Sequence, residues 1–279
     1  MVIEEVAEIG IEALRQAKKV HDELGENGLT PVPSPNQFGE QALLADVLCE
    51  KAILDTLRVA HFPIRVTSEE HGTTYITEEP IFSGTADGLD GTVIYKKGPG
   101  IGRYGTMFGI ASGLNPRYED YLFSGIMEHA SNRLWIATKG QGSYLISEND
   151  KTKIIASQKS VFDESARIYT GENYNELSRK IFAGKFPFNW KKEPLSAAIE
   201  YVDIASGEAE LEVEVTRKGN LEQMIAYGLL KEAGADMYTF NGENIGGQKY
   251  LEFGQSEFIP IFSAANPKLA RSFLLFFNQ

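Results

Sequence analysis

The stretch of this chain best suited to chemistry is Asp87-Gly88-Leu89-Asp90-Gly91-Thr92, where two carboxylates lie three positions apart and each is followed by glycine. Taken alone, two successive Asp-Gly pairs are also ordinary turn signals. A second acidic pair, Glu69-Glu70, precedes Asp87 by 18 residues and follows a strand-like run; by itself it reads as a solvated pair at a strand end. Asp46 and Glu50 sit one helical turn apart, on one face of an apolar-periodic segment. Glu222 opens another such segment, where a helix dipole favours an acid. Each feature has a plain structural explanation, and it is their conjunction that carries information.

Spacing removes two motifs from consideration. A calcium loop of the EF-hand type alternates its acids and closes on Glu at the twelfth position. Counted from Asp87 that position is Gly98, and the acids here are three apart. A phosphatase of the haloacid-dehalogenase type separates its two aspartates by one residue, whereas two intervene here. The four histidines, His21, His61, His71 and His129, show no metal-ligand spacing; surface or hydrogen-bonding roles suit them, and His71 follows Glu70 closely enough to touch that region. The glycine-rich run from Gly98 to Gly105 fits neither a P-loop nor a dinucleotide fingerprint and reads as a loop beside the acids. Phe186, Phe188 and Trp190 read as core.

Elements that could position these residues follow from periodicity. Val6, Ile9, Leu14, Ala17 and Val20 predict an amphipathic helix over 3–24. Gly, Pro, Asn and Ser dominate 25–39, a long loop of the kind that often serves function. A second helix is expected over 40–60, with Leu43, Leu44, Val47, Leu48, Ile53 and Leu57 on its apolar side. Ile64–Thr67, Met107–Ala111, Tyr121–Met127 and Leu134–Ala137 read as strands, and Gly140–Tyr144 as punctuation among them. The polar segment 147–153 reads as a surface turn or a boundary between halves. Helices are expected over Leu195–Ala205, Leu221–Ala233 and Asn266–Phe276, the last packing its terminal aromatics on the core. There is no internal repeat, and the regular alternation of a parallel βαβ sheet is absent, which points to a mixed, layered α+β arrangement.

The chain has 279 residues, 42% hydrophobic and 24% charged, enough to bury a full core and unlike a disordered chain. Its formal net charge of −12 argues against a binder of nucleic-acid backbones. No apolar run is long enough to span a bilayer, and the N-terminus lacks the basic start and apolar stretch of a signal peptide. The single cysteine, Cys49, allows no intrachain disulfide; together these features fit a cytoplasmic protein without membrane partners.

In order along the chain, these motifs resemble those of the inositol monophosphatase and fructose-1,6-bisphosphatase superfamily. Asp46 with Glu50 resembles the early Asp-x-x-x-Glu pattern, and Ser68-Glu69-Glu70 the Glu-Glu motif at a strand end. Asp87–Thr92 resembles the Asp-Pro-hydrophobic-Asp-Gly-Thr/Ser motif, and Ser196-Ala197-Ala198-Ile199-Glu200 the Ser-Ala-Ala-x-Glu segment. Leu221-Glu222 through Lys231-Glu232-Ala233-Gly234 resembles the late helix motif, in which an acid is followed twelve residues later by Gly. The resemblance runs from about residue 36 to the C-terminus.

It implies an αβαβα sandwich in two halves dividing near residue 150. Residues 1–150 would carry most metal ligands, and 151–279 the substrate contacts and the late ligand. It further implies a homodimer and an Mg²⁺-dependent phosphomonoesterase holding two or three ions. Glu69, Asp87, the Leu89 carbonyl, Asp90 and Glu222 would bind metal, and Glu69 and Thr92 would orient the attacking water. The Gly91 and Thr92 N–H groups would hold phosphate, Asp46 and Glu70 would support the site or a weaker third ion, and Ser196, Ala197 and Glu200 would meet the substrate. The physics agrees: so many carboxylates in one site require cations, and Mg²⁺ is a hard cation that takes oxygen ligands.

Three departures bear on the substrate and on the stiffness of the site. Gly88 stands where the superfamily has Pro, Leu221-Glu222 replaces Trp-Asp, and Leu195 replaces a Gly before Ser196. Glu222 resembles the fructose-bisphosphatase branch, and Arg217-Lys218 could meet a second phosphate or simply be a solvated basic pair. The length and the compact N-terminal region put inositol 1-phosphate first, with fructose 1,6-bisphosphate or dual specificity as the alternative. A nucleotide 3′-phosphatase lacks positive support. A regulatory homologue that has lost turnover is permitted by the three departures and opposed by the retained carboxylates.

Overall fold

The computed structural model describes residues 2–33, 35–36, 38–39, 41–148, 150–171, 176–186, 196–216 and 221–278. Arg217, Lys218, Leu195, Phe188 and Trp190, which figure in the expectations above, lie outside the described residues.

Two helices, α1 (Ile3–Leu24) and α2 (Leu44–Val59), pack on each other and cover one face of an eight-stranded sheet. Its strands are β1 (Ile64–Ser68), β2 (Gly72–Tyr75), β3 (Phe82–Asp90), β4 (Gly105–Ser112), β5 (Tyr121–Glu128), β6 (Arg133–Thr138), β7 (Gly142–Ser147) and β8 (Asp150–Ile154), with the one-turn helix α3 (Thr92–Tyr95) after β3. Their order is β2-β1-β3-β4-β5-β6-β7-β8, antiparallel except for the parallel pair β1–β3. The second sheet holds β9 (Ile168–Thr170), β10 (Leu211–Val215), β11 (Asp236–Thr239) and β12 (Pro260–Ala264) in the order β11-β12-β10-β9. Between the sheets lie α5 (Ala197–Ala205) and α6 (Leu221–Ala233); α4 (Glu176–Phe182) and α7 (Pro267–Phe277) pack on the second sheet. The result is the αβαβα sandwich that the motifs imply.

The faces of α1 and α2 differ from the simple apolar reading. The buried residues of α1 are Val6, Gly10, Ala13, Leu14, Ala17 and His21, while Ile9 and Val20 are half-buried. Small side chains bring this helix onto β5: a Cβ on Gly10 would lie 2.4 Å from the Phe123 ring. On α2, Leu44, Val47 and Leu48 are half-buried, and the buried stripe instead runs through Asp46, Cys49, Glu50, Ile53 and Leu57. Two carboxylates thus face inward, because donors and the acidic centre lie there. The helix starts at Leu44 rather than near residue 40, behind Leu43 as N-cap.

β3 is buried over eight of its nine residues, covered by α2 on one face and α6 on the other. That explains why Phe82-Ser83-Gly84-Thr85-Ala86 shows no polar–apolar alternation in the sequence. The polar run 147–153, expected to be a turn or boundary, contains the end of β7 and most of β8, an edge strand. Charged edge residues such as Asp150, Lys151 and Lys153 discourage pairing with other chains. Phe186 is buried and its ring stacks on Phe273; at the C-terminus Phe273 is core while Leu275 is 71% exposed.

Candidate metal and phosphate site

The pairing of β3 with β4 slips between Asp87, opposite Met107, and Asp90, opposite Gly105. Three steps on β3 match two on β4, so Gly88 and Leu89 form a bulge. A bulge re-aims side chains, and it lets Asp87 and Asp90 serve one centre. Asp87 is buried and its Oδ1 accepts the Leu89 N–H at 2.9 Å. Asp90 Oδ2 accepts the Ala198 N–H at 2.7 Å, tying the end of β3 to the start of α5. Glu222, in the first turn of α6, brings a carboxylate oxygen to within 4.8 Å of oxygens of both aspartates.

Glu69 lies in the turn after β1, and its charge is among those that act on Asp87. Asn36 bridges the acidic pair, its Nδ2 donating to Glu69 Oε1 at 2.9 Å and Glu70 Oε1 at 3.2 Å. The turn itself is held by Glu50, which is wholly buried. It accepts the Glu70 N–H at 3.1 Å, the His71 N–H at 3.2 Å and the His71 ring nitrogen Nδ1 at 2.9 Å. His71 therefore helps to fix the turn. Asn36 was hidden in the sequence because a lone Asn in a Pro- and Gly-rich loop reads first as a turn former.

Asp46 Oδ2 accepts the Leu43 N–H at 2.6 Å, and its Oδ1 lies 3.4 Å from the Thr92 hydroxyl. That hydroxyl also lies 3.2 Å from the Leu89 carbonyl oxygen, so its one proton is shared between two acceptors. Gly91 caps α3 at φ +94°, a left-handed conformation that favours glycine, and a Cβ there would lie 2.7 Å from Ser196 Cβ. Ser196 in turn caps α5, its Oγ accepting the Ile199 N–H at 3.3 Å, and Ala197 is the first residue of that helix. Glu200 is buried in the same first turn, near enough to Tyr169 to influence its hydroxyl.

The first turns of four helices, α2, α3, α5 and α6, thus meet around the β3 bulge. The start of α5 donates its Ala198 N–H to Asp90, and the Leu43 N–H at the start of α2 is taken up by Asp46. The carboxylates are correspondingly crowded. Burial, followed by the charges of Glu69, Asp90, Glu222 and Glu50, holds Asp87 well above the usual carboxylate range. Burial raises Asp46 to about 6 against the opposing Leu43 N–H and Thr92 hydroxyl, with Glu50 adding to the rise. Burial also raises Glu70 to about 7, with Glu50 and Asp46 contributing. Such a set is adverse as bare anions and fits hard divalent cations, whose charge offsets the repulsion. Divalent charge beside helix N-termini makes a site for a phosphate.

The sequence matches no family model and no curated protein. The fold does have counterparts among solved structures. The extragenic suppressor protein SuhB from Bartonella henselae aligns over 98% of both chains with a TM-score of 0.73 and 18% identity. An inositol monophosphatase from Zymomonas mobilis aligns over 100% of both, at TM-score 0.73 and 13% identity. A protein described as an inositol monophosphatase–fructose 1,6-bisphosphatase aligns over 96% of this chain and 98% of its own, at TM-score 0.73 and 19% identity. The chain shares the inositol monophosphatase fold across its whole length.

Proposed function

We propose that this protein is an Mg²⁺-dependent phosphomonoesterase that hydrolyses a small polyol or sugar phosphate, inositol 1-phosphate foremost. The observation that carries the reading is the meeting of Asp87, Asp90 and Glu222 oxygens within 4.8 Å, from positions 135 residues apart at the extremes. In the proposal Glu69, Asp87, the Leu89 carbonyl, Asp90 and Glu222 hold two or three Mg²⁺ ions. Bound there, the metal supplies positive charge that polarises the phosphoryl oxygens and makes water a better nucleophile.

The chain's own residues do the rest. The Gly91 and Thr92 N–H groups bind phosphate oxygens, assisted by the start of α5 at Ser196 and Ala197. Thr92 Oγ1 keeps lone pairs available while its proton is shared between Asp46 and the Leu89 carbonyl, so it orients the attacking water by accepting from it. Glu69 accepts the second water proton. Attack of that water on phosphorus breaks the phosphorus–oxygen bond to the polyol, which leaves as the alcohol by taking up the proton that passed from the water to Glu69. Glu70 supports the acidic turn or a third ion, and Glu200 accepts a hydroxyl of the substrate ring, a contact that disfavours analogues without it. Residues 1–150 then supply most metal ligands, and 151–279 supply Glu222 and the substrate contacts. A cytoplasmic homodimer completes the reading; among the described residues no helix is long and apolar enough to cross a membrane.

Fructose 1,6-bisphosphate is the second reading. It is favoured by Glu222 in place of the Asp of inositol phosphatases, and by the fold shared with a protein described by both activities. Phosphate release should be measured with Mg²⁺ on inositol 1-phosphate, fructose 1,6-bisphosphate and adenosine 3′,5′-bisphosphate. The expected order puts inositol 1-phosphate first. A preference for fructose 1,6-bisphosphate reverses the substrate assignment, and a folded protein releasing no phosphate from any of them is a binding protein.

A further inference from the structure

We propose that Thr106 and His129 are positioning residues that hold the Asp87–Asp90 bulge in its ion-binding shape through a hydrogen-bond relay ending on the Gly88 carbonyl. The proposal rests on the reading of that bulge as a metal site. Thr106 stands on β4 opposite the bulge, between the partners of Asp87 and Asp90, where regular ladder pairing is lost. Its hydroxyl, wholly buried, lies 2.6 Å from the Gly88 carbonyl oxygen and 2.9 Å from His129 Nε2. A carbonyl can only accept, so the single hydroxyl proton goes to Gly88. The Thr106 oxygen must then accept from His129, which fixes that histidine as the neutral tautomer protonated on Nε2.

The histidine is built in from several sides. Its backbone N–H donates to the Tyr104 carbonyl at 3.1 Å, and its ring stacks on His21 at 3.9 Å between centroids with 10° between planes. His21 has its own chain: the Gly100 N–H donates to the Tyr104 hydroxyl at 2.8 Å, which lies 3.1 Å from His21 Nε2. Asp22 Oδ1 lies 3.0 Å from His21 Nδ1. Donation from Tyr104 to Nε2 and from Nδ1 to Asp22 accounts for every proton. This assignment leaves both stacked rings neutral with complementary tautomers, and burial disfavours a charge on either.

Two observations give the relay a task. First, His129 Nδ1 is buried and has no hydrogen-bond partner among the described residues. An apolar side chain would fill the space without that unmet atom, so the Nε2 proton is the feature only a histidine supplies here. Second, residue 88 cannot stiffen the bulge itself. It is glycine, and a Cβ there would lie 2.0 Å from the Asp46 carbonyl oxygen. The bulge is wedged against α2 on one side, and Thr106 holds its carbonyl on the other. Turning that peptide would withdraw the Leu89 N–H from Asp87 Oδ1.

The test is calorimetric titration of the full chain with Mg²⁺, alongside unfolding midpoints without metal. Thr106→Val, which keeps shape and loses the hydroxyl, should weaken Mg²⁺ binding roughly tenfold or more, the scale of lost support behind metal ligands. Thr106→Ser should restore it. His129→Leu should weaken Mg²⁺ binding while the chain stays folded, and it carries the test if Thr106→Val does not fold. A wild type that binds Mg²⁺, with Thr106→Val and His129→Leu binding equally well, overturns the relay and leaves the site reading intact. A loss that Thr106→Ser fails to restore also overturns it, marking a packing role. A folded wild type that binds no Mg²⁺ overturns both readings.

Discussion

At the scale of single residues, the site is a problem of repulsion solved by geometry. Asp90 is the sharpest case, since it is one of three converging carboxylates and also the acceptor for the start of α5. Asp90→Asn keeps an oxygen for the Ala198 N–H and removes one negative charge. It should abolish phosphate release while leaving far-ultraviolet circular dichroism unchanged, and it should raise the unfolding midpoint of the metal-free protein. Near-normal turnover in that variant would remove Asp90 from the site. The carboxylates themselves were legible in the sequence, because acids at Asp-Gly turns and at a strand end keep their local context. Asn36, Thr106 and His129 were not legible. Their importance comes from what the fold sets opposite them, and no spacing along the chain records that.

At the scale of elements, the main helices could be read from periodicity: α1 and α6 have the expected bounds, and α7 shifts by one residue. Two things could not. The inward face of α2 was misassigned, because Asp46 and Glu50 count as polar in any hydrophobic pattern while N–H donors and the site keep them buried. The β3 bulge leaves no mark in the pattern, since a slip of one residue is visible only against a partner strand. The approach of α2 to that bulge gives a prediction. Gly88→Ala puts a methyl group where the Asp46 carbonyl oxygen stands, so the first turn of α2 must retreat. Overpacking of this kind costs about 1–3 kcal/mol, readable by urea unfolding. Turnover should fall as well, since Asp46 moves with that turn. Gly88→Pro should fail for the same reason. Wild-type stability and turnover in either variant would show that the close approach is unimportant.

At the scale of the whole molecule, the sandwich brings residue 222 back to residues 87 and 90 by running α6 between the two sheets. The layering was expected from the resemblance, and the identity of 13–18% to SuhB and the Zymomonas enzyme shows how little sequence the fold needs. The buried His21–His129 stack gives a global pH signature. Burial lowers both rings from 6.5, most strongly His129, where nearby His21 and Lys18 add to the effect; Asp22 partly opposes it at His21. As pH falls, the unfolded chain takes up protons on these rings through 6.5, ahead of the folded chain. Stability from this source is thus full above 6.5 and lost below it, by up to about 1.4 kcal/mol per pH unit for each ring. Between pH 7.5 and 5.5, His129→Leu should therefore lose less unfolding free energy than the wild type; parallel profiles would contradict this. The raised site carboxylates act in the opposite sense, gaining stability as pH falls.

One titration tests the metal centre most directly: phosphate release from inositol 1-phosphate as Mg²⁺ is raised from a chelated start, wild type beside Glu222→Gln. The expected result is no release in chelator and a saturable rise with Mg²⁺ in the wild type. In Glu222→Gln, the rise should be shifted to higher Mg²⁺ and lowered in height. Release that persists in chelator, or a Glu222→Gln curve superimposed on the wild type, would contradict a metal centre built from Asp87, Asp90 and Glu222.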